Sequence, residues 1–373
     1  MEALKGAGEM KYRPLPHGGE NISIIGMGSA VIGAKPQEEI IATVRAALDH
    51  GINFFDMGAG HAAVFEAYGK ALHDVRSQVY LQVHFGANYV TGEYGWTTNL
   101  EEIKRSVAWQ MEQLQTDYLD FGFIHCLDEE ADLQAYRENG VLDYVLSLKK
   151  QGVIRHIGLS THTPVIANQV LDLGIIDILM FSINPVYDYG QGDYGVGTSE
   201  ERSQLYARCQ REGVAISVMK PYCGGQLLDA AQSPFKAALT PVQCLQYALD
   251  QPGVVTVLPG FGSIGELEDG MRYLSATEEE RDYSVISAFT PEDARHKCVY
   301  CHHCHPCPAG LDIALINKYY DLTCLGDNLA REHYLTLEKH AGDCIQCGHC
   351  NHRCPFHVDQ MARMQEISQY FGQ

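Results

Sequence analysis

The sequence of 373 residues contains no long hydrophobic run and comparatively little positive charge. Its longest apolar segments, such as residues 175–183, are interrupted by charge at Asp177 and are too short to cross a bilayer. Lys and Arg total 27 against 47 Asp and Glu, which gives a net charge of −20. This charge argues against nucleic acid or an anionic membrane surface as a partner. We therefore expect a soluble, cytoplasmic protein.

The first residues show no charged start followed by an apolar stretch, so we expect no secretory leader. The 13 cysteines are therefore expected in a reducing compartment. Most of the five that lie outside the two C-terminal cysteine runs, Cys126, Cys209, Cys223, Cys244 and Cys324, are predicted to be buried as small apolar residues. The other eight fall in two runs that each close on a Cys-Pro pair: Cys298, Cys301, Cys304 and Cys307 before Pro308, and Cys344, Cys347, Cys350 and Cys354 before Pro355.

The spacing of the two runs predicts two [4Fe-4S] clusters. Three cysteines at this spacing can bind three irons of a cubane, and in bacterial two-cluster ferredoxins the fourth ligand is the Cys-Pro cysteine of the other run. The second run has the bacterial spacing, and the first is one residue shorter before its Cys-Pro. Exposed clusters would favour an anaerobic host. Crossed ligation would use Cys298, Cys301, Cys304 and Cys354 for one cluster, and Cys344, Cys347, Cys350 and Cys307 for the other.

Zinc and disulfides are the alternatives for these cysteines. Two four-cysteine zinc sites would use paired C-x2-C knuckles with longer gaps, rather than four cysteines within ten or eleven residues closed by proline. Disulfides would suit a small secreted chain. Iron–sulfur clusters fit the pattern better than either.

Short β-branched segments alternate with amphipathic segments from about residue 21 to residue 275. Strands are predicted at 22–26, 53–56, 79–83, 119–124, 156–160, 178–183, 215–218 and 256–259. Helices are predicted at 37–50, 62–72, 99–114, 141–151, 164–173, 200–212, 241–249 and 263–274. Eight strand–helix units over roughly 250 residues are the number and size of a (β/α)8 TIM barrel. A doubly wound open sheet is the alternative, but eight alternating units favour closure.

The remaining segments precede or follow the predicted barrel, residues 21–275, along the sequence. Residues 1–20, rich in Gly, Lys and Pro, are predicted to form an N-terminal arm or short hairpin. Residues 276–292 are acidic and are predicted to be a connector. Residues 293–373 would then form a small C-terminal two-cluster ferredoxin-like domain, with helices between the two cysteine runs. The predicted fold class is therefore α/β, a barrel followed by a cluster domain.

Polar side chains follow most of the predicted strands, at the barrel end where catalysis takes place in such folds. They are Asp56 and His61 after strand 2, His84, His125, His162 and Asn184 after strands 3 to 6, and Lys220 after strand 7. Titratable groups at so many consecutive strand ends indicate a functional site rather than packing. Glycine-rich turns follow the last two strands, Gly224-Gly225 and Pro259-Gly260, and the second leads into a helix N-terminus suited to phosphate. Several loop aromatics are expected to wall the pocket, namely Tyr89, Tyr94, Trp96, Tyr187, Tyr189 and Tyr194.

The barrel segments resemble the aldo-keto reductases. The resemblance is carried by "GINFFDMGAG", "YGKAL", "TDYLDFGFIH", "GVIRHIGLSTHTP" and "VLPGFGSIGELEDG". It extends from about residue 24 to the end of the chain. The segments "VMKPYCGGQLL" and "TPVQCLQYALDQPGV" are similar to the branch of the family with a C-terminal 4Fe-4S domain. The resemblance implies a (β/α)8 barrel, a nicotinamide nucleotide as hydride donor, and Asp, Tyr, Lys and His around a carbonyl group.

Two members of that tetrad are replaced in this sequence. Asp56 and His125 match the Asp and His positions, whereas His61 stands at the Tyr position and His84 at the Lys position. A Tyr with a pKa of about 10 needs a neighbouring Lys to act near neutral pH, whereas His titrates at about 6.5 without help. His61 is therefore expected to be the proton donor, oriented by Asp56, with His84 or His125 polarising the oxygen. In an alternative arrangement, the three histidines would bind a divalent metal.

The cofactor-binding positions are also unusual. The residues assigned to the cofactor are His162, Asn184, Gly224, Gly225, Pro259 and Gly260. Where the family has Lys or Arg for an adenosine 2′-phosphate, residues 263–268 include Glu266 and Glu268. These acidic residues favour NAD over NADP, or no dinucleotide at all. Met219 replaces the aromatic residue that stacks on nicotinamide, and Lys220 beside it is a candidate anion-binding residue or proton donor.

The leading hypothesis is an oxidoreductase that binds a small organic substrate in the barrel, while the clusters relay electrons one at a time. The electron donor or acceptor would be NAD(H) or a soluble ferredoxin or flavodoxin. A second hypothesis is a non-redox enzyme, a lyase, isomerase or hydratase, that uses His61, His84 and His125 with structural clusters. A third is a binding or electron-transfer protein whose barrel is inactive.

Overall fold

The computed structural model describes residues 8–58, 60–188, 195–283, 285–286, 298, 304, 306–324, 328–354 and 358–373. Some of the predicted features lie outside these described residues. They are Cys301, residues 284 and 287–292 of the connector, and the loop aromatics Tyr189 and Tyr194.

An antiparallel hairpin of β1 (Tyr12–Pro14) and β2 (Asn21–Ser23) precedes the barrel, with Arg13 opposite Ile22. Leu15 and Ile22 of this hairpin are buried in one hydrophobic cluster with Phe54 and Phe121 of the barrel. The strand predicted at 22–26 is therefore divided. Residues 21–23 pair with the hairpin, and the first barrel strand begins later, at Met27.

Eight parallel strands form the barrel. They are β3 (Met27–Gly28), β4 (Phe54–Asp56), β5 (Tyr80–Phe85), β8 (Leu119–Ile124), β9 (Ile154–Thr161), β10 (Ile178–Ser182), β11 (Ala215–Met219) and β12 (Val254–Val257), with the short β6 (Ala87–Asn88) and β7 (Gly95–Trp96) between β5 and β8. Neighbours in space follow the order β12, β11, β10, β9, β8, β5, β4, β3. Parallel bridges join Ile25 to Val257 and Gly28 to Gly260, so the first and last strands meet. This is the expected (β/α)8 barrel.

Helices surround the strands. They are α1 (Gln37–Asp49), α2 (Ala63–Leu72), α3 (Leu100–Gln113), α4 (Glu130–Glu138), α5 (Val141–Gln151), α6 (Pro164–Leu171), α7 (Pro185–Asp188), α8 (Ser199–Glu212), α9 (Pro241–Asp250), α10 (Ile264–Met271) and α11 (Glu278–Arg281). Thr198 and Thr240 begin α8 and α9 as capping boxes, which satisfy backbone N–H groups that a helix leaves unpaired. Gly152 and Gly213 end α5 and α8 with φ of 76° and 71°, a conformation that favours glycine.

Four further helices follow the barrel: α12 (Ile313–Cys324), α13 (Asn328–Leu335), α14 (His349–Arg353) and α15 (Gln360–Phe371). Their buried residues Ile316, Tyr334 and Met364 belong to the same continuous hydrophobic core as the barrel helices. The His333 ring of α13 lies 6.0 Å from the ring of Trp96 in β7. The C-terminal helices therefore contact the end of the barrel at which the predicted site residues stand. No helix in the described ranges has the length and apolar composition needed to cross a membrane.

Candidate functional site

Asp56, at the end of β4, is a buried carboxylate that accepts three hydrogen bonds at the barrel mouth. Its Oδ1 accepts hydrogen bonds from His84 Nε2 at 2.6 Å and from the Gln82 side-chain amide at 2.9 Å. The Gly58 backbone N–H donates to the same oxygen at 3.3 Å. Because Gln82 and His84 alternate with outward-facing residues along β5, both side chains reach into the barrel beside Asp56. Asp56 therefore orients His84.

His84 and His125 are joined directly, with 2.9 Å between their Nδ1 atoms. Both rings are buried. They come from the ends of neighbouring parallel strands, β5 and β8, where His84 pairs in register with Phe123. Asp56, His84 and His125 thus form one continuous hydrogen-bonded row, which we call the buried histidine chain.

The charge state of His125 follows from its burial. Burial lowers the pKa of His125 well below the usual 6.5, and the nearby His84 and His333 lower it further. A neutral imidazole has one N–H donor and one acceptor nitrogen. With Asp56 as the acceptor, His84 carries its proton on Nε2, so its Nδ1 accepts from the Nδ1–H of His125. The Nε2 of His125 is then a hydrogen-bond acceptor.

The Tyr94 hydroxyl lies 2.9 Å from this acceptor nitrogen, His125 Nε2. The side chain is buried, and its ring meets the imidazole edge-on at a centroid distance of 5.9 Å. Tyr94 lies in the loop between β6 and β7. The strand pattern does not predict these two strands, because each has only two residues. The sequence identifies Tyr94 only as a pocket aromatic, and spacing alone gives no indication of its hydroxyl contact.

His61 does not share this network. Its Nδ1 is 3.1 Å from a carboxylate oxygen of Glu93, and its ring lies against Gly33. The side chain is 30% exposed. The rings of His61, His84 and His125 therefore do not converge as the ligands of one metal would. Among the described residues, three donor atoms within 4.8 Å of one another occur at Cys126, Asp128 and His162.

Asp128, in the loop after β8, is the centre of that second group. It accepts hydrogen bonds from the His162 backbone N–H at 2.6 Å and from His162 Nδ1 at 2.9 Å. Burial raises its pKa, but His162 and Lys318 outweigh burial, and the net pKa lies well below the usual range. Burial raises the pKa of the Cys126 thiol, so it stays protonated at neutral pH. A protonated thiol beside a lysine is a poor ligand set for a divalent cation.

Asn184 and Lys220 stand at the ends of β10 and β11. The Asn184 side chain donates to the Lys220 carbonyl at 3.0 Å and accepts from the Tyr187 N–H at 3.0 Å. Asn184 therefore connects two loops at the mouth. Lys220 has a φ of +55°, and its charge lowers the pKa of His162. The positions predicted to bind a cofactor are thus at the mouth, but His162 and Asn184 are held by protein groups.

The turn after β12 leaves little space between its backbone at Gly260 and the Val31 side chain. A Cβ at Gly260 would come within 2.4 Å of the Val31 side chain, so only glycine fits there. The Glu266 carboxylate accepts the Gly262 backbone N–H at 2.8 Å, while the Ser263 hydroxyl caps α10. A carboxylate already stands at this helix start, which opposes an additional phosphate.

Among the described residues of the two runs, Cys307, Cys344, Cys347, Cys350 and Cys354 form no disulfide. Burial raises the pKa of Cys350, and the nearby thiols of Cys344 and Cys307 raise it further. The Gln360 amide, in α15 just after the second run, lies 3.6 Å from Cys298 Sγ. Thiols of one run thus lie close to residues of the other.

The distances between these thiols can be compared with those in a zinc site. A tetrahedral zinc with bonds of about 2.3 Å places its sulfurs about 3.8 Å apart. No three tail thiols of the described residues come within 4.8 Å of one another. The described thiols are therefore not arranged as a zinc site requires.

Similarity to known proteins supports the barrel assignment. The model of the aldo/keto reductase family matches residues 24–238. L-galactose dehydrogenase of Arabidopsis thaliana is 25% identical over 302 residues, which cover 72% of this chain and 90% of that protein. The uncharacterized oxidoreductase YqkF of Bacillus subtilis is 25% identical over 316 residues, 76% of this chain and 98% of that protein.

Solved structures share the fold. The holo form of aldo-keto reductase AKR11C1 from Bacillus halodurans has a TM-score of 0.62 at 23% identity, and the match covers 76% of this chain and 97% of that one. An aldo-keto reductase from Klebsiella pneumoniae in complex with NADPH has a TM-score of 0.54 at 20% identity, with 73% and 92% covered. The family match spans more than half of the sequence and includes seven of the eight barrel strands, and the chain belongs to the aldo/keto reductase family.

Proposed function

We propose that this protein is an oxidoreductase that interconverts a carbonyl and an alcohol group on a small organic substrate at the mouth of the barrel. The observation that supports the proposal is the buried histidine chain. Reduction of a carbonyl requires a proton at the oxygen, and oxidation of an alcohol releases one. Two buried imidazoles in series with a carboxylate can hold and move that proton away from water. A family relative that is named as a dehydrogenase is consistent with this chemistry.

The proposed cofactor is a nicotinamide nucleotide, with NAD favoured over NADP. When bound, it supplies the hydride. The glycine turns after β11 and β12, at Gly224-Gly225 and Gly260, would let the cofactor approach the protein backbone closely. The relative from Klebsiella pneumoniae binds NADPH. In this chain the Glu266 carboxylate, bonded to the Gly262 N–H, opposes a 2′-phosphate by charge repulsion, which supports NAD.

The C-terminal region is proposed to be ferredoxin-like and to bind two [4Fe-4S] clusters by crossed ligation. The proximity of Cys307 and Cys344 to Cys350 supports the set Cys344, Cys347, Cys350 and Cys307. The contact of Gln360 with Cys298 supports the return of the second run towards the first, as the set Cys298, Cys301, Cys304 and Cys354 requires. Such clusters supply one-electron transfer. A soluble ferredoxin or flavodoxin is the proposed external electron partner.

Anaerobic visible spectroscopy of the iron-loaded protein tests the function. NADH is added first, then NADPH, and dithionite serves as the reductant control. We expect NADH to bleach the cluster absorption and NADPH to bleach it more slowly. Bleaching by dithionite alone would contradict transfer between a nicotinamide and the clusters. Preference for NADPH would contradict the role of Glu266, and Glu266→Gln is the variant that should increase the response to NADPH.

The crossed ligation has its own test. Cys354→Ser should damage the cluster held by Cys298, Cys301 and Cys304, and Cys307→Ser the other one. Each variant should retain about half of the iron and sulfide of the wild type, and the EPR signal that remains should differ between the two. Cys324→Ser, an exposed cysteine outside both runs, is the matched control. The same residual signal from both variants would refute the crossed arrangement.

A further inference from the structure

The buried histidine chain does not end at His125, because the Tyr94 hydroxyl is 2.9 Å from its Nε2. With His84 protonated on Nε2 and His125 on Nδ1, the Nε2 of His125 can only accept. The hydrogen between the two residues therefore belongs to Tyr94. Every polar hydrogen of the row then points the same way, from Tyr94 through His125 and His84 to Asp56.

The backbone explains why this tyrosine reaches the site. Glu93 forms an antiparallel bridge with His61, and the Tyr94 N–H donates to the Gly60 carbonyl at 3.4 Å. The excursion between β6 and β7 thus runs beside the loop that follows β4. In this arrangement the His61 side chain, 30% exposed, contacts Glu93 at the rim of the barrel. The next residue after Glu93 is Tyr94, and its hydroxyl contacts His125.

We propose that Tyr94, and not His61, exchanges the proton with the substrate oxygen, and that the buried histidine chain stores it. This inference rests on the carbonyl–alcohol chemistry proposed above and assigns its acid–base group. Tyr94 is the catalytic residue of the row, while His84 is a positioning residue that acts through His125.

The proton balance is complete within these residues. In the oxidation direction the substrate hydroxyl gives its proton to the Tyr94 oxygen, and the proton of Tyr94 moves to His125 Nε2. The Nδ1 proton of His125 moves to His84 Nδ1, and the Nε2 proton of His84 moves to Asp56. One proton has left the substrate, Asp56 has become a neutral acid, and both imidazoles remain neutral. In the reduction direction each transfer is reversed, and the hydride is carried by the nicotinamide nucleotide in both.

Neutral imidazoles make the row suited to this task. The low pKa of His125, caused first by burial and then by His84 and His333, keeps an acceptor nitrogen opposite Tyr94 over the neutral pH range. A cationic His125 would donate through Nε2 and could not accept the hydrogen of Tyr94. The row therefore stores the proton on the carboxylate and leaves no net charge on the rings.

The first experiment measures the reduction of 4-nitrobenzaldehyde by NADH with the anaerobically reconstituted full chain. We expect Tyr94→Phe to lower kcat by about 10²–10⁴-fold with little change in KM, because only the proton-transfer group is removed. Tyr68→Phe is the matched control, since Tyr68 is another buried tyrosine, and its hydroxyl has no hydrogen-bond partner among the described residues. His61→Ala should lower kcat by less than tenfold. Equal kcat for Tyr94→Phe and the wild type, or a larger loss for His61→Ala, would overturn the assignment.

A second readout does not depend on turnover. In protein labelled with ¹⁵N-histidine, the His125 signal, assigned by its loss in His125→Gln, should show an unprotonated Nε2 and a protonated Nδ1. Tyr94→Phe should shift the Nε2 resonance, and Tyr68→Phe should leave it in place. A protonated Nε2, or no shift in Tyr94→Phe, would overturn the proton row even if the wild type reduces no aldehyde. A wild type without turnover but with the expected resonances would contradict the proposed function and leave the row supported.

Discussion

Arg202, in α8, is a fully buried cation whose partners hold the loops near the barrel mouth. Its Nε donates to Asp188 Oδ1 at 2.9 Å, and its guanidinium also donates to the Ser182 carbonyl. Two tyrosine hydroxyls donate to the same carboxylate, Tyr206 at 2.6 Å and Tyr247 at 2.7 Å. A buried charge of this kind is tolerated only because its partners satisfy it completely.

Arg202→Met is therefore expected to leave Asp188 as an uncompensated buried charge. The loss in the free energy of unfolding should be about 3–5 kcal/mol. Arg211→Met removes a cation that is 69% exposed and 3.7 Å from Glu212, and should cost less than about 1 kcal/mol. Urea unfolding at neutral pH measures both variants. Similar losses for the two would show that the buried group contributes no more than a surface ion pair.

Individual residues of the candidate site differ in whether the sequence could predict their position. Asp56, His84 and His125 were identifiable because parallel strands bring their carboxyl ends together, so strand-end residues share one location. His61 has the right spacing from Asp56, but spacing does not fix the direction of a loop side chain. Tyr94 depends on pairing between two loops, Gly60 with Tyr94 and His61 with Glu93, and neither loop has a periodic pattern.

At the scale of elements, prediction succeeded where burial imposes a pattern. The run Leu119–Ile124 is buried at every position, and the helix Val141–Gln151 ends at a glycine cap, so both were predictable. The helix Glu130–Glu138 was not, because only Leu133 and Tyr136 of its nine residues are buried. Burial of two residues leaves too little apolar periodicity to separate a helix from a loop.

The hairpin of β1 and β2 illustrates an element held by charge. His156, in β9, contacts the Glu20 carboxylate at 3.0 Å and the Asp177 carboxylate at 3.3 Å. Burial lowers the pKa of His156, but its hydrogen bonds to Asp177 and Glu20 raise it more, and the net pKa lies above 6.5. Burial raises the pKa of Glu20 and Asp177. Hydrogen bonds with His156, helped by Lys149 at Asp177, outweigh burial, and both net pKa values are lowered.

These shifts define a pH window for the hairpin. The raised pKa of His156 stabilises the fold below pH 6.5, and this contribution is lost as the pH rises through the folded pKa. The lowered pKa of Glu20 stabilises the fold above pH 4.5 and is lost as the pH falls. The difference in unfolding free energy between wild type and His156→Gln should therefore be larger at about pH 5.5 than at about pH 8. Urea unfolding measures it, and Glu20→Gln should reduce the difference. An equal difference at both pH values would contradict this account.

At the scale of the whole molecule, the C-terminal helices act on the groups at the barrel mouth. Lys318 of α12 is only 4% exposed, and its charge lowers the pKa of both Asp128 and His162. Burial raises the pKa of Tyr319 beside it, and Asp128 raises it further. His333 of α13 lowers the pKa of His125. The C-terminal helices and the groups at the barrel mouth therefore share one electrostatic environment.

Lys318→Met tests whether this contact holds the two parts together. The variant removes a buried ammonium that favours the ionised form of Asp128, so the pKa of Asp128 should rise and its loop should lose order. We expect the free energy of unfolding at neutral pH to fall by about 1–3 kcal/mol. Amide hydrogen exchange should also become faster in residues 126–132 and in α12. Lys339→Met, which removes a lysine 47% exposed and 3.7 Å from Asp343, should change neither. Unchanged exchange in both segments with Lys318→Met would show that the C-terminal helices dock on the barrel through their apolar residues alone.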